Sequence, residues 1–262
     1  MIIDTHTHLD DKSYIDDLDE VIKRANDGGV KAFLIPGADI DDLPRAKEIA
    51  YKYPNTYFAA GVHPYHMDQY NEDTLKIYLN DERCIAVGEC GLDYFRLPED
   101  KQEREDVKKR QKEIFAKHIK LAIGANKPLI IHIRDANEDS KRVMLENDAC
   151  KVGGVLHCYN ASKHLLDLSE SGFYFGIGGV LTFKNAKKLV EILPSIPKER
   201  IIIETDSPYL TPHPHRGERN EPFYTTLVVK KVAQILDMSE KDVETLTSNN
   251  AKNLFNALKS VN

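Results

Sequence analysis

Eight short apolar segments recur along the chain, and stretches that mix polar and apolar residues separate them. Each apolar segment is continuous rather than alternating and is rich in β-branched or aromatic residues, which is typical of parallel strands buried on both faces. The pattern therefore predicts a parallel sheet. Its strands are predicted at residues 1–6, 31–36, 57–62, 84–89, 128–133, 153–158, 173–178 and 200–205.

The stretches between these strands show helical spacing. In residues 14–29, 103–126 and 227–238, apolar positions recur every three or four residues, and Gly28 and Gly29 mark the end of the first stretch. Strands that alternate with helices predict an α/β protein built as a single (β/α)8 barrel of the TIM type. We expect one domain over residues 1–262, because no linker rich in Pro, Gly or Ser interrupts the series.

An open, doubly wound sheet would produce the same alternation of strands and helices. Against it, no GxGxxG follows the first strand and no GxxxxGK[ST] occurs in the chain. The glycine cluster "GIGG" at 176–179 follows the seventh predicted strand. It either forms a loop with unusual backbone angles or, in a barrel, lies where phosphate groups often bind.

Composition and charge narrow the functional classes. The 262 residues are 41% hydrophobic, enough to bury a large core, and the net charge of −6 argues against a passive nucleic-acid binder. A phosphate substrate held by divalent cations remains possible, since the cations reverse the local charge. The chain shows no membrane-length apolar run, no basic-then-apolar leader and no CxxC spacing. We therefore expect a cytoplasmic protein with reduced thiols, no membrane partner and no obligate protein partner.

Polar side chains follow six of the eight predicted strands, at the end where barrel enzymes carry their active sites. Buried histidines and carboxylates without partners cost free energy, and a metal centre would satisfy them together. On an extended strand, residues two apart face the same side, so His6 and His8 could hold one ion. The residues at these strand ends are His6, His8, His63, Glu89, His132, His157, Glu204 and Asp206.

Four histidines and two carboxylates are too many ligands for one catalytic zinc ion. Two divalent cations that share a bridging carboxylate fit this number of ligands better. Nitrogen and oxygen donors suit Mg²⁺, Mn²⁺ or Zn²⁺. Taken singly, His132 or His157 could be a core histidine, and Asp206 could be a helix cap. His118 and His164 lie in helical patterns and are expected at the surface or partly buried.

Seven motifs occur in an order that resembles the TatD family of metal-dependent deoxyribonucleases, among the amidohydrolase-like barrels. The resemblance extends from Ile2 to about Leu258 and implies metal-dependent hydrolysis of DNA. It favours 3′ to 5′ exonuclease action on single strands, with single-stranded 3′ ends as the substrate. The motifs are "DTHTHLD", "GVHPY", "GECGLDY", "IHIRD", "LHCY", "ETDSPYL" and "RGERNEP".

The resemblance also implies a role for each matching residue. Glu89 bridges two ions and acts in catalysis with Asp206, which orients and deprotonates the attacking water. The ligands of one ion are His6, His8, Glu89 and Asp206. The ligands of the other are Glu89, His132 and His157. Around the scissile phosphate, or supporting the ligands, lie His63, Asp93, Arg134 and Arg216.

Other interpretations of the same residues stay open. Tyr65, Tyr94 or Phe95 could stack on a base or pack at the barrel rim. The same metal centre could hydrolyse a cyclic amide, a lactone or an ester, or it could be a non-catalytic metal site. Arg134 and Arg216 favour phosphate, because planar guanidinium groups match phosphate oxygens.

Overall fold

The eight apolar segments form one parallel sheet in sequence order in the computed structural model, which describes residues 1–261. Its ends meet, since the Thr5 amide donates to the Ile203 carbonyl at 3.1 Å and Thr7 forms a bridge with Ser207. The prediction of a TIM-type barrel is confirmed, and the open sheet is excluded. The strands are β1 Ile2–Asp4, β2 Val30–Ile35, β3 Thr56–Ala60, β4 Cys84–Asp93, β5 Leu129–Arg134, β6 Gly154–Leu156, β7 Phe173–Ile177 and β8 Ile201–Ile203.

Helices surround the barrel, and the three predicted from spacing are confirmed with shifted ends. The first is shorter than predicted, because a 3₁₀ turn at Lys12–Tyr14 precedes it. None of the helices within residues 1–261 is both long and apolar enough to cross a bilayer. The α-helices are α1 Leu18–Asp27, α2 Leu43–Lys52, α3 Glu72–Leu79, α4 Lys101–Ala125, α5 Asn137–Glu146, α6 Lys187–Ile192, α7 Thr225–Leu236 and α8 Glu240–Leu254.

The buried apolar side chains form two layers. One layer lies between the sheet and the helices and includes Phe33, Phe58 and Phe115. The other fills the inside of the barrel and continues into the segment after α8, which closes the N-terminal end of the barrel. That closing segment contributes Phe255, Leu258 and Val261, and the strands contribute Ile3, Leu34, Tyr57, Ile130, Val155, Tyr174 and Ile202.

Strand alternation carries this interior up to the C-terminal mouth of the barrel. Side chains two residues apart on a strand face the same side. His132 therefore follows the interior residue Ile130, and His157 follows Val155. Two predicted ligands, His132 and His157, are thus the polar continuation of the apolar interior, together with Glu204, which lies two residues after Ile202.

The predicted strand ends are wrong at four places that matter for the mouth. Three strands end early, β1 at Asp4, β6 at Leu156 and β8 at Ile203, so the segments beyond them carry His6, His8, His157 and Asp206. β4 instead continues to Asp93, and its pairing with β5 shifts register between Val87 and Cys90. A bulge of this kind re-aims a side chain, here at Glu89.

A glycine allows β4 and β5 to approach each other next to this bulge. Gly91 has a φ of +141°, and a Cβ there would lie 2.0 Å from the carbonyl oxygen of His132. Any other residue would push the two strands apart. The sequence "GECG" therefore combines a bulged carboxylate with a close backbone contact.

Candidate metal centre

Four side chains converge at the mouth of the barrel with the spacing of ligands around one cation. Nε2 of His6 lies 3.4 Å from Oε2 of Glu89 and 3.6 Å from Oδ1 of Asp206. Nε2 of His8 lies 3.8 Å and 3.4 Å from the same two oxygens. Bonds of about 2.1 Å in a tetrahedral site put neighbouring donors about 3.4 Å apart. The four atoms therefore fit a single divalent ion.

Backbone hydrogen bonds tie the two segments that carry these ligands. The His8 amide donates to the Ser207 carbonyl at 2.8 Å, and the Asp206 amide donates to the His6 carbonyl at 2.9 Å. Buried Asp4 accepts from the amides of His6 at 3.3 Å and Thr205 at 3.0 Å. Asp4 thus joins the ends of β1 and β8, a role that its sequence pattern did not indicate.

Glu89 faces a second group of donors with its other oxygen. Oε1 lies 3.0 Å from Nδ1 of His132 and 2.9 Å from Nε2 of His157, and these two nitrogens are 3.0 Å apart. This is hydrogen-bond spacing, slightly closer than ligands around a cation. One buried carboxylate therefore stands between the pair His6 and His8 and the pair His132 and His157, the arrangement that a bridging ligand requires.

Asp93 orients the His132 ring. Its Oδ2 lies 2.9 Å from Nε2 of His132, and its Oδ1 accepts from the Phe95 amide at 2.9 Å. Gln111 of α4 bonds both backbone groups of Asp93, at 2.9 and 3.0 Å. A carboxylate on one ring nitrogen fixes the proton there and leaves the other nitrogen free to bind a metal.

Glu204 lies behind His157. It is fully buried, its Oε1 accepts from the Cys158 amide and lies 3.9 Å from Nδ1 of His157, and burial raises its pKa well above the usual range. A Cβ on Gly176 would lie 2.2 Å from its Oε2. The first glycine of "GIGG" is thus required by this close contact. The expectation of unusual backbone angles is wrong, because no glycine of this cluster has a positive φ.

The electrostatics of these residues suit cation binding. Burial lowers the pKa of His6 to about 4, so that its ring is neutral at pH 7. Burial opposes ionisation of Glu89, but His157 and His6 hold its pKa well below the usual range. Both ring nitrogens of His6 and Nδ1 of His157 are buried without a hydrogen-bond partner. Burial opposes protonation of His8 and His132, but their carboxylate partners raise the pKa of each to about 9, so these two rings bind a cation only after losing a proton. The neutral ring of His6, the carboxylates and the orphaned buried nitrogens fit a divalent metal centre.

A cavity of about 420 Å³ opens over the centre. His63 lines it, and Nδ1 of this ring accepts from the Tyr65 amide at 3.1 Å. The proton is therefore on Nε2, which lies 3.7 Å from Oε1 of Glu89. Other residues around the cavity are Asp10, Asp11, Asp39, Asp42, Tyr65, His66, Asp93, Arg96, Arg134 and Tyr209.

The structure brings one of the two predicted arginines to this cavity. The Arg134 guanidinium lies 3.6 Å from the ring centroid of Phe95, a side chain that is 55% exposed. Arg216 instead donates to the Thr211 carbonyl at 2.8 Å and stacks on Phe183. Arg96, which lines the cavity over Tyr65, was missed because nothing in its loop sequence distinguishes it.

His118 is buried, and the expectation of a partly exposed residue is wrong. Its Nε2 accepts from the Val62 amide at 3.0 Å, and its Nδ1 donates to the Ile114 carbonyl at 2.9 Å. Val62 precedes His63, so α4 fixes the backbone that carries His63 to the cavity. His164 is 43% exposed, as expected.

A barrel with a buried carboxylate between two groups of metal-binding side chains at its mouth belongs to the metal-dependent hydrolases. The model of the family described as TatD-related DNase matches residues 3–256. This chain is a member of that family, and the resemblance predicted from its motifs is confirmed.

Curated relatives and a solved structure agree with this assignment. The uncharacterized metal-dependent hydrolase YabD of Bacillus subtilis is 41% identical over 261 residues, which cover 97% of this chain and 99% of the relative. The 3′–5′ ssDNA/RNA exonuclease TatD of Salmonella typhimurium is 32% identical over 97% of this chain and 98% of its own. The crystal structure of YJJV, a TatD homolog from Escherichia coli K12, superposes with a TM-score of 0.89 at 26% identity, covering 97% and 98% of the two chains.

Proposed function

We propose that this protein is a deoxyribonuclease that removes nucleotides from the 3′ ends of single-stranded DNA, using two divalent cations. The observation that carries the proposal is the position of Glu89, whose two carboxylate oxygens face two groups of metal-binding nitrogens that adjoin where the rings of His6 and His157 stack. The relative named as a 3′–5′ ssDNA/RNA exonuclease supports the choice of substrate.

The residues that would hold the first ion are His6, His8, Glu89 and Asp206, and those for the second are Glu89, His132 and His157. When bound, such ions supply Lewis acidity to the phosphoryl group and lower the pKa of a water molecule. Asp93 bonds the ring of His132 from behind, and Glu204 lies behind the ring of His157 without a hydrogen bond to it.

Asp206 is the proposed base. Burial opposes its ionisation, but its hydrogen bond to His8 and the adjacent histidines hold its pKa below the usual range, so it is anionic at pH 7. It takes a proton from the attacking water as the oxygen bonds to phosphorus. The bond from phosphorus to the 3′ oxygen of the preceding nucleotide breaks, and that oxygen leaves as a hydroxyl with a proton from solvent water, while Asp206 returns its proton to solvent.

The cavity walls supply groups that recognise phosphate and base. The Nε2–H of His63 faces the centre and donates to a phosphoryl oxygen. Arg134 presents a planar donor at the rim, where its guanidinium already stacks on Phe95. A base of the substrate that packs on the Phe95 ring would extend this stack. Tyr65, which is 37% exposed, is the second stacking candidate.

The test uses chelator-treated protein and 5′-labelled single-stranded DNA, with and without Mg²⁺ or Mn²⁺. We expect metal-dependent release of nucleotides from wild type, and none from Glu89→Gln or Asp206→Asn. Glu146→Gln, which changes an exposed carboxylate on α5, is the matched control and should keep full activity.

Two further substrates refine the test. Circular single-stranded DNA should resist cleavage if the protein acts only on ends, and an RNA of the same sequence measures the preference between sugars. Wild type that releases no nucleotide with any of these metals would rule out the nuclease proposal. Hydrolysis of a cyclic amide or lactone by that same preparation would assign the carbonyl reaction instead.

A further inference from the structure

The charges around the cavity are unevenly distributed. Seven carboxylates and two arginines line it. With neutral histidines, two divalent cations still leave the cavity with a net negative charge, and a phosphodiester adds another. The excess lies on one wall, formed by the loops after β1 and β2, whereas Arg96 follows β4 and Arg134 ends β5. The carboxylates of this acidic wall are Asp10, Asp11, Asp39 and Asp42.

Asp10 is the member of the wall with an unexplained environment. The residue is only 8% exposed, and its Oδ1 is buried without a hydrogen-bond partner. A buried carboxylate oxygen without a partner is costly, and an ion is one of the few explanations for it. At the metal centre of this same cavity, the orphaned Nε2 of His6 marks a proposed ligand in the same way.

The rest of the acidic wall is only partly neutralised. Asp39 lies 3.0 Å from Nδ1 of His66, and Asp11 accepts from the amide of Ser13 and the hydroxyl of Tyr209. For Asp42, no salt bridge within 4.0 Å is found in residues 1–261. Neither arginine of the cavity reaches this wall, since Arg96 lies over Tyr65 and Arg134 over Phe95.

We propose that Asp10 and Asp42 hold a third divalent cation, hydrated Mg²⁺ or Mn²⁺, on the acidic wall. Such ions keep several waters and are typically bound by one or two carboxylates together with substrate phosphate. Bound there, the ion brings the cavity to a net positive charge and turns a wall that repels phosphate into one that attracts it. This site goes beyond the proposed function, because it does not depend on which bond the centre hydrolyses.

The experiment is a titration of chelator-treated, full-length protein with Mn²⁺ at pH 7.5, in which the electron paramagnetic resonance signal measures free Mn²⁺. We expect wild type to bind a third equivalent more weakly than the first two. Asp10→Asn should weaken that equivalent at least tenfold, and Asp42→Asn at least threefold. Asp41→Asn removes the same charge from an exposed neighbour outside the cavity lining. It should change the affinity for the third equivalent of Mn²⁺ less than twofold.

Glu89→Gln separates this site from the metal centre. This substitution should weaken binding of the first two equivalents of Mn²⁺. Binding of the third equivalent, which depends on Asp10, should stay unchanged. Identical isotherms for wild type, Asp10→Asn and Asp42→Asn would overturn the proposal, and so would equal effects of Asp42→Asn and Asp41→Asn. If Asp10→Asn does not fold by circular dichroism, the exposed Asp42 decides the outcome.

The same preparations are assayed on single-stranded DNA. A wild type that binds the third equivalent without releasing nucleotides retains the acidic-wall site and contradicts only the nuclease proposal. A wild type that releases nucleotides but binds no third equivalent contradicts only the acidic-wall site.

Discussion

Oδ2 of Asp93 lies 2.9 Å from Nε2 of His132, on the side of the imidazole ring that faces away from Glu89. This pair explains why β4 continues past Glu89. The strand carries a proposed ligand and, four residues later, the carboxylate that orients a ligand on the neighbouring strand.

Asp93→Asn should weaken the metal site at His132 and His157 by about 10- to 100-fold, since outer carboxylates of metal-bound histidines have effects of that size. Asparagine keeps an acceptor oxygen but loses the charge, so Asp93→Ala should weaken the site further. Calorimetric titration with Mn²⁺ measures both affinities. Unchanged binding in both variants would contradict the role of Asp93.

His8→Ala should remove one ion and leave the other. The donors Glu89, His132 and His157 stay in place, whereas the group with His6 and Asp206 loses a nitrogen. Metal analysis after gel filtration should give about one equivalent fewer than wild type. Hydrolysis should fall by about 100-fold or more, a loss typical when an electrostatic contact to the transition state is removed. Retention of the full metal content would contradict the assignment.

Acid should destabilise the protein partly through His118. Burial lowers the pKa of His118 to about 4, from an ordinary value of 6.5. Between these values the unfolded chain binds a proton that the folded chain does not, so this contribution is complete above pH 6.5 and is lost as the pH falls towards 4. Between pH 7.5 and pH 4.5, the loss of unfolding free energy due to His118 amounts to about 2 to 3 kcal/mol.

Urea unfolding of His118→Gln at both pH values tests this contribution. The loss of unfolding free energy on acidification should be smaller in the variant by about that amount. His164→Gln replaces an exposed histidine. Its loss of unfolding free energy on acidification should equal that of wild type. Equal losses in His118→Gln and wild type would show that His118 is not protected from protonation.

The two predicted arginines should differ in their effect on DNA binding. Arg134→Gln should raise the KM for single-stranded DNA about tenfold and change kcat less, because it removes one phosphate contact at the rim. Arg216→Gln should change KM less than threefold, since that side chain is directed to Thr211 and Phe183. A larger effect of Arg216→Gln would support its predicted role at the scissile phosphate.

Much of the barrel could be predicted from the sequence because its strands are buried on both faces and therefore appear as continuous apolar segments. The convergence of His132, His157 and Glu89 followed from the rule that strand ends meet at one mouth. The strand ends could not be predicted, because hydrogen bonds between distant segments decide them. Asp4, for example, holds the amide of Thr205, 201 residues away.

The surroundings of individual side chains also could not be predicted from the sequence pattern. His118 lies in a helix with many charged neighbours, and inside the protein its ring accepts a hydrogen bond from the amide of Val62, in the loop after β3. The residues of the acidic wall likewise come from two separate loops. Their charges are ordinary for surface loops, and only the folded barrel places them next to each other.

The four residues around the first proposed ion span about three quarters of the chain, from His6 to Asp206. A ribosome makes the chain from the amino terminus, so the first two histidines emerge long before the aspartate that completes their group. During that interval no full set of donors exists to retain a metal ion. The full set of donors for this ion therefore forms only when the segment after β8 bonds to the segment after β1 and the barrel closes.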